Sequence, residues 1–381
     1  MAIEWLTKTD PQQVEEWAAF LESEDLHPNS PGDLTCLIRE QGKIIASASL
    51  DGPVIQYIAV DRDRRGEDLT ARLITAILQE AFRQDRTHLF IYTKPCNRAL
   101  FAGLLFYEVA ETDQVLLLEN IRGGCQAFVA GLAAEGKDIR EANSGKAWES
   151  RSREAKETEE KQSLYRSDQK TEEKQSPCRP DQDPKQREKK RTAVSAIVMN
   201  ADPFTKGHLY LVQKAAAESA FLYIFVVSED RAHFSAADRL RMVQKGTACL
   251  SNVGVLPSGP YLLSQATFPT YFLKERQPVA DVKCGLDAEI FTRYFAPAFG
   301  IERRYIGTEE DDPVTRAYND KLREILPKGG IEVRVIKRLC QRGKPISARD
   351  VRAKLGIHNR SGLEKLLPPS TLAYLTETGQ L

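Results

Sequence analysis

Ala193-Val-Ser-Ala-Ile-Val-Met-Asn-Ala-Asp-Pro-Phe-Thr-Lys-Gly-His208 is the stretch whose reading decides the fold. It opens with a short apolar run, 196–199, of the kind that forms a buried strand. Asp202-Pro203 then marks a turn. Beyond Thr205-Lys-Gly-His208, the apolar residues Leu209, Leu211, Val212, Ala215 and Ala216 predict a helix over 208–220. Strand, tight turn and helix start make a phosphate site in an open α/β sheet. The helix N-terminus offers free N–H groups and partial positive charge, and ligands gather where strands end. Gly207 lets the backbone approach a phosphate, and Thr205 and His208 can donate to its oxygens. The same residues also read as an ordinary helix start, with Thr205 as N-cap and His208 on the first turn.

Downstream, strand-like runs at 221–227, 253–256, 281–284, 303–306 and 332–336 alternate with helical patterns at 236–248, 289–295 and 314–326. Such alternation predicts a parallel sheet covered on both faces. Gly307 ends one of these strands, as a loop around a ligand or as a simple turn. Pro345-Ile-Ser-Ala-Arg-Asp-Val-Arg352 follows the last strand. Ser347 is well placed as an N-cap, with Asp350 three residues on.

The first third has another pattern. Residues 1–30 read as one amphipathic helix centred on 14–21. Strands are predicted at 35–39, 43–50 and 54–60, joined by Gln41-Gly42 and Asp51-Gly52 turns. A helix follows over 68–83 with Leu69, Leu73, Ile74, Ile77, Leu78 and Ala81 on its apolar face, then a strand at 88–92, a helix at 97–105 and a strand near 114–118. The order resembles a GNAT-type acetyltransferase, an α+β fold. That family binds the coenzyme A pyrophosphate at Gln/Arg-x-x-Gly-x-Gly/Ala. Here Gly66 matches, but Asp63 and Asp68 occupy the other two places, and carboxylates repel a pyrophosphate. The preferred reading is a GNAT-shaped domain without acetyltransferase activity.

Between these parts, 136–191 holds 16 Lys/Arg and 13 Asp/Glu with few large apolar residues. It reads as a disordered linker or a solvated helix. A 13-residue tandem repeat runs through it, Thr158-Glu-Glu-Lys-Gln-Ser returning as Thr171-Glu-Glu-Lys-Gln-Ser. The predicted domains are therefore 1–135, a charged linker 136–191, and 192–381. The 381 residues balance 54 Lys/Arg against 54 Asp/Glu, which removes any general electrostatic case for nucleic acid. Seven scattered cysteines, none in a Cys-x-x-Cys pair, point to reduced thiols and no metal site. No apolar run approaches the roughly 20 residues needed to span a bilayer. A cytoplasmic protein without membrane contact is expected.

Asp-Pro-Phe-Thr-x-Gly-His and Ile-Ser-x-x-x-Val-Arg together resemble the two signatures of the T/HxGH nucleotidylyltransferase superfamily. Tyr261-Leu-Leu-Ser-Gln-Ala-Thr-Phe-Pro-Thr-Tyr-Phe-Leu-Lys274, Tyr305-Ile-Gly-Thr-Glu309 and Pro313-Val-Thr-Arg-Ala-Tyr-Asn319 narrow the resemblance to the acetate:citrate lyase ligase family, which joins a GNAT-like domain to a T/HxGH domain. The resemblance covers the chain except its charged insert, and Asp202 stands where the family often has Asn. It implies an enzyme that uses ATP and Mg²⁺ to form acetyl-adenylate from acetate. The acetyl group then goes to the phosphopantetheine-type thiol on the acyl carrier subunit of citrate lyase. It assigns Thr205 and His208 to catalysis, and Asp202, Phe204, Gly207, Gly307, Ser347 and Arg352 to the nucleotide and its phosphates. Lys206 and Lys274 are further candidates, each also readable as an ordinary surface or core-flanking lysine. The alternative is a nucleotidylyltransferase that leaves AMP on a phosphate ester.

Overall fold

The computed structural model describes residues 2–164, 192–228, 232–263, 279–309, 312–357 and 359–381. Contacts divide the chain into two compact units. One comprises Met1–Val129, Ser258–Phe295 and Glu309–Gly329; the other comprises Ala130–Pro257, Ala296–Thr308 and Gly330–Leu381.

The first unit opens with β1 (Ile3–Trp5) and α1 (Pro11–Ser23). The single helix predicted over 1–30 is thus a strand and a shorter helix. Asp10 accepts the N–H groups of Gln12 and Gln13, and Pro11 occupies the first turn, so the helix starts there. The residues before it are free to pair with β2. Next come β2 (Leu34–Glu40), β3 (Lys43–Asp51), β4 (Val54–Val60), α2 (Leu69–Arg83), β5 (Phe90–Thr93), α3 (Arg98–Ala102), β6 (Tyr107–Glu111) and β7 (Leu116–Glu119). Gln41 and Gly42 both take positive φ, the type I′ geometry that lets β2 and β3 form a tight hairpin. The sheet order is β1-β2-β3-β4-β5-β7-β6, antiparallel except for β4–β5. That parallel pair holds only at Val54–Phe90 and Ile55–Ile91, after which the strands part. Tyr57 lies just beyond, at φ +51°. Its ring meets Trp17 edge-on at 5.5 Å and its hydroxyl accepts the Asn29 N–H at 3.3 Å, which holds the strained backbone. The α2 face Leu69, Leu73, Ile74, Ile77 and Ala81 is buried on this sheet, a GNAT-like α+β arrangement.

Helix α4 (Gly124–Leu164) runs through the start of the charged segment. In the second unit Gly136 accepts the Tyr223 hydroxyl, and a Cβ there would stand 2.6 Å from Phe299. Asn143 donates to the Val253 carbonyl at 2.8 Å. The second copy of the repeat lies outside the described residues.

The second unit then follows the predicted alternation: β8 (Val194–Met199), α5 (Lys206–Ala217), β9 (Phe221–Val226), α6 (Ala236–Thr247) and β10 (Val253–Pro257). The strand expected at 281–284 is instead part of α7 (Val279–Ile290), which continues as a π-helical turn through Phe295. Val279, Val282, Leu286 and Ile290 repeat at helical spacing, a period that a four-residue window cannot reveal. After α8 (Ala296–Phe299) come β11 (Arg303–Gly307), α9 (Pro313–Ile325), β12 (Glu332–Ile336), the hairpin β13 (Cys340–Gln341) and β14 (Lys344–Pro345), and the helices α10 (Ala348–Leu355), α11 (Arg360–Leu366) and α12 (Pro369–Glu377). Both α7 and α9 belong to the first unit.

The five strands of the second unit lie in the order β10-β9-β8-β11-β12, all parallel. The sheet therefore runs outward from β8 in one direction and from β11 in the other. This is the Rossmann-like order, and its reversal falls between β8 and β11. Leu222 and Ile224 of β9 join Val212, Met242, Val351, Leu363 and Leu375 in one core, while Tyr223 and Phe225 face Phe299 on the other side. Each such aliphatic side chain contributes about 1.5–3 kcal/mol by leaving water. No helix among the described residues is long and apolar enough to cross a membrane.

Candidate active site

Strands β8 and β11 pair only at Ser195–Arg303 and Ala196–Arg304, although they continue to Met199 and Gly307. Their carboxyl ends part at the strand-order reversal, where open α/β sheets bind ligands. The loop leaving β8 is tightly held there. Arg239, fully buried on α6, donates to the Phe234 carbonyl at 3.1 Å and to the Asn200 carbonyl at 3.1 Å. Asp202 accepts the N–H groups of His233 at 3.1 Å and Phe234 at 2.9 Å. Two loops are thereby stitched together before α5 begins.

Thr205 caps α5 reciprocally with His208. The Thr205 hydroxyl accepts the His208 N–H at 3.3 Å, and His208 Nδ1 accepts the Thr205 N–H at 3.0 Å. An Nδ1 that accepts cannot carry the proton, so the neutral ring is the Nε2–H tautomer. Burial first, and the Arg338 guanidinium second, push the His208 pKa down to about 4. At neutral pH the ring is an uncharged donor. Phe204 lies nearly parallel to it, with centroids 5.9 Å apart and 14° between planes.

The second helix start meets the first. A Cβ on Gly207 would stand 3.3 Å from the Ile346 carbonyl, so only glycine allows this approach unstrained. Ser347 caps α10 by accepting the Arg349 N–H at 3.1 Å. From the same helix, Arg352 donates to the Asp202 carbonyl and lies 3.2 Å from its carboxylate. Asp202, Gly207, His208, Ser347 and Arg352 thus come together although about 140 residues separate the two stretches.

Other predicted residues stand differently. Phe204 is fully buried, so it backs the imidazole and presents no surface to a nucleotide. Thr205 is 1% exposed, and its polar atoms face His208. The Asp202 carboxylate is occupied by two N–H groups and Arg352, which makes it a fastener of the loop. Lys206 donates to the Glu364 carbonyl at 2.8 Å, at the end of α11. Gly307 ends β11, and a Cβ there would meet only Arg338, at 3.8 Å. Lys274 lies outside the described residues.

Sequence reasoning missed Arg338 and read Arg239 only as one side of a loop ion pair. Arg338 follows β12, its N–H bonded to Thr308 Oγ1 at 3.1 Å and its stem over Gly307, with its charge felt at His208. Its signal was position alone, two residues past the carboxyl end of a parallel strand. Arg239 shares the stripe of buried Met242 and Val243, and a charge on an apolar stripe points to a buried anchor.

In the first unit, the turn before α2 holds Asp63 and Asp68 beside Gly66 at φ +96°. Its arginines are engaged: Arg62 with Asp25, Arg64 with Glu40 and Glu67, and Arg65 with Glu24.

Fold and cleft define the class, a GNAT-like unit joined to a Rossmann-like sheet with a ligand cleft at its reversal point. Residues 194–375 match the citrate lyase ligase C-terminal domain family. The chain is 32% identical over 366 residues to the [citrate [pro-3S]-lyase] ligase of Klebsiella pneumoniae, covering 95% of this chain and 92% of that protein. It is 31% identical over 374 residues to that of Escherichia coli (strain K12), covering 97% and 92%. Among solved structures, Escherichia coli ElaA covers 32% of the chain and 100% of its own length, at 15% identity and a TM-score of 0.28. The chain belongs to the citrate lyase ligase family and is an enzyme of the ligase class.

Proposed function

We propose that the chain activates acetate with ATP and passes the acetyl group to the thiol prosthetic group on the acyl carrier subunit of citrate lyase. An acetate oxygen attacks the α-phosphorus, the bond to the bridging oxygen breaks, and pyrophosphate leaves. The carrier thiol then attacks the acetyl carbonyl, giving the thioester and free AMP. Acetate is already ionised at neutral pH, so the first step needs no general base. It needs positioning and charge neutralisation, which fixed donors supply. In this reading His208 Nε2–H donates to an α-phosphate oxygen, while Thr205 and Phe204 fix its ring. Ser347, the α10 N-terminus and Arg352 hold the β- and γ-phosphates. Gly207 keeps the two helix starts together, and Gly307 leaves room beside the base. Mg²⁺ would neutralise the triphosphate, held mainly by its phosphate oxygens. The reading places the reaction in the cytoplasm.

The observation that carries it is the meeting of two helix starts at one cleft, in a chain alike to citrate lyase ligases along 95% of its length. ATP–pyrophosphate exchange tests it, with and without acetate, on wild type and His208→Ala. Acetate-dependent exchange that is lost in His208→Ala is expected. Exchange only with a phosphate ester would move the chain to AMP transfer.

A further inference from the structure

Residues 337–365 carry nine Lys/Arg against two acids, Asp350 and Glu364, in a chain whose net charge is zero. Lys337, Arg342, Lys344 and Arg349 in this segment are exposed and pair with no carboxylate among the described residues. The contrast lies in the first unit, where Arg39, Arg62, Arg64, Arg65, Arg83, Arg86 and Arg98 each meet a carboxylate. The four unpaired cations sit after β12, on the β13–β14 hairpin and on the first turn of α10. The same short stretch carries Arg338, Ser347 and Arg352 at the cleft. Uncompensated like charges repel one another, and an approaching polyanion relieves that repulsion.

We propose that Lys337, Arg342, Lys344 and Arg349 form the docking surface for an acidic face of the acyl carrier. The inference rests on the acetyl-transfer reading above. A thiol on a prosthetic arm must enter the cleft, so the body of its carrier must rest on the surface around the mouth. The segment holds no Phe, Tyr or Trp, whereas single-stranded RNA surfaces interleave cations with aromatic stacking platforms. A carboxylate-rich protein face therefore fits better than a nucleic acid.

The test is Arg342→Glu/Lys344→Glu in the full chain, with deacetylated citrate lyase as acceptor. The KM for the lyase should rise on the order of tenfold with kcat little changed, and its salt dependence should flatten. Acetate-dependent ATP–pyrophosphate exchange, which needs no carrier, should keep the wild-type rate and reports an intact fold. Arg342→Lys/Lys344→Arg should behave as wild type. Equilibrium binding of the lyase, measured by sedimentation, reads docking even if the exchange assay overturns the acetyl-adenylate reading. Unchanged KM and unchanged binding in the charge-reversed variant would overturn the proposal. So would loss of affinity for a short RNA probe with transfer unaffected.

Discussion

His208 is neutral at pH 7 because its ring is half-buried, faces the Arg338 charge, and accepts the Thr205 N–H on Nδ1. A folded pKa of about 4 lies below the ordinary imidazole value of 6.5. The folded state therefore binds fewer protons than the unfolded state between these values. The group's contribution is fully present above pH 6.5 and is lost as pH falls toward 4, at most about 3 kcal/mol. Denaturant titrations at pH 7 and pH 4.5 should show wild type losing more stability than His208→Asn. Exchange activity should show no acid inflection near pH 6.5; a single protonation there would contradict a neutral donor held by burial. Arg338→Gln removes the second cause, so the His208 pKa should rise, read by imidazole resonances against pH. If Arg338 also meets the phosphates, exchange should fall roughly tenfold or more in the same variant. Thr205, Gly207 and His208 were legible because a cap, a glycine and a donor lie within four residues. Arg338 was not, since its nearness to His208 exists only once β12 is laid beside β11.

Two helices start at the cleft, and their approach depends on one position. Gly207→Ala places a methyl about 3.3 Å from the Ile346 carbonyl, so α10 must shift a few tenths of an ångström. A modest stability loss of about 1–2 kcal/mol and a larger loss of exchange are expected, because positioning tolerates less than packing does. Gly307→Ala meets nothing closer than 3.8 Å and should keep near-wild-type stability. Unfolding curves beside exchange rates separate the two; equal losses of activity would sink the distinction. The elements were legible to different degrees for physical reasons. β8, β9 and α2 announce themselves by unbroken apolar runs or a clear stripe. β6, Tyr107-Glu-Val-Ala-Glu, is short and half polar, and takes its form from pairing with β7. The helix α7 was lost to a short window, and the start of α1 to the capping power of Asp10-Pro11.

For the whole molecule, chain order and packing order differ. Periodicity reports what a segment becomes, not which surface it covers, so no pattern in 258–295 or 309–329 points to the first unit. The contacts there are specific. Tyr261 donates to the buried Glu119 at 2.6 Å, beside His88, and Glu119 also accepts the Cys125 N–H at 2.8 Å. Tyr294 donates to the Val109 carbonyl at 3.0 Å, and a Cβ on Gly285 would stand 2.9 Å from Thr112. A fragment of residues 192–381 keeps every strand of the parallel sheet yet strips Tyr261, α7 and Tyr294 of these partners. Their apolar side chains, Leu286, Ile290 and Phe291 among them, would meet water. That fragment should bind a hydrophobic dye and be cut rapidly within 285–295, whereas the full chain resists cleavage there under the same conditions. Tyr261→Phe in the full chain should destabilise the first unit by about 1–3 kcal/mol, since Glu119 loses a buried donor. A fragment as protease-resistant as the full chain would mean that these segments fold on their own side of the chain, and that the Glu119 contacts add little.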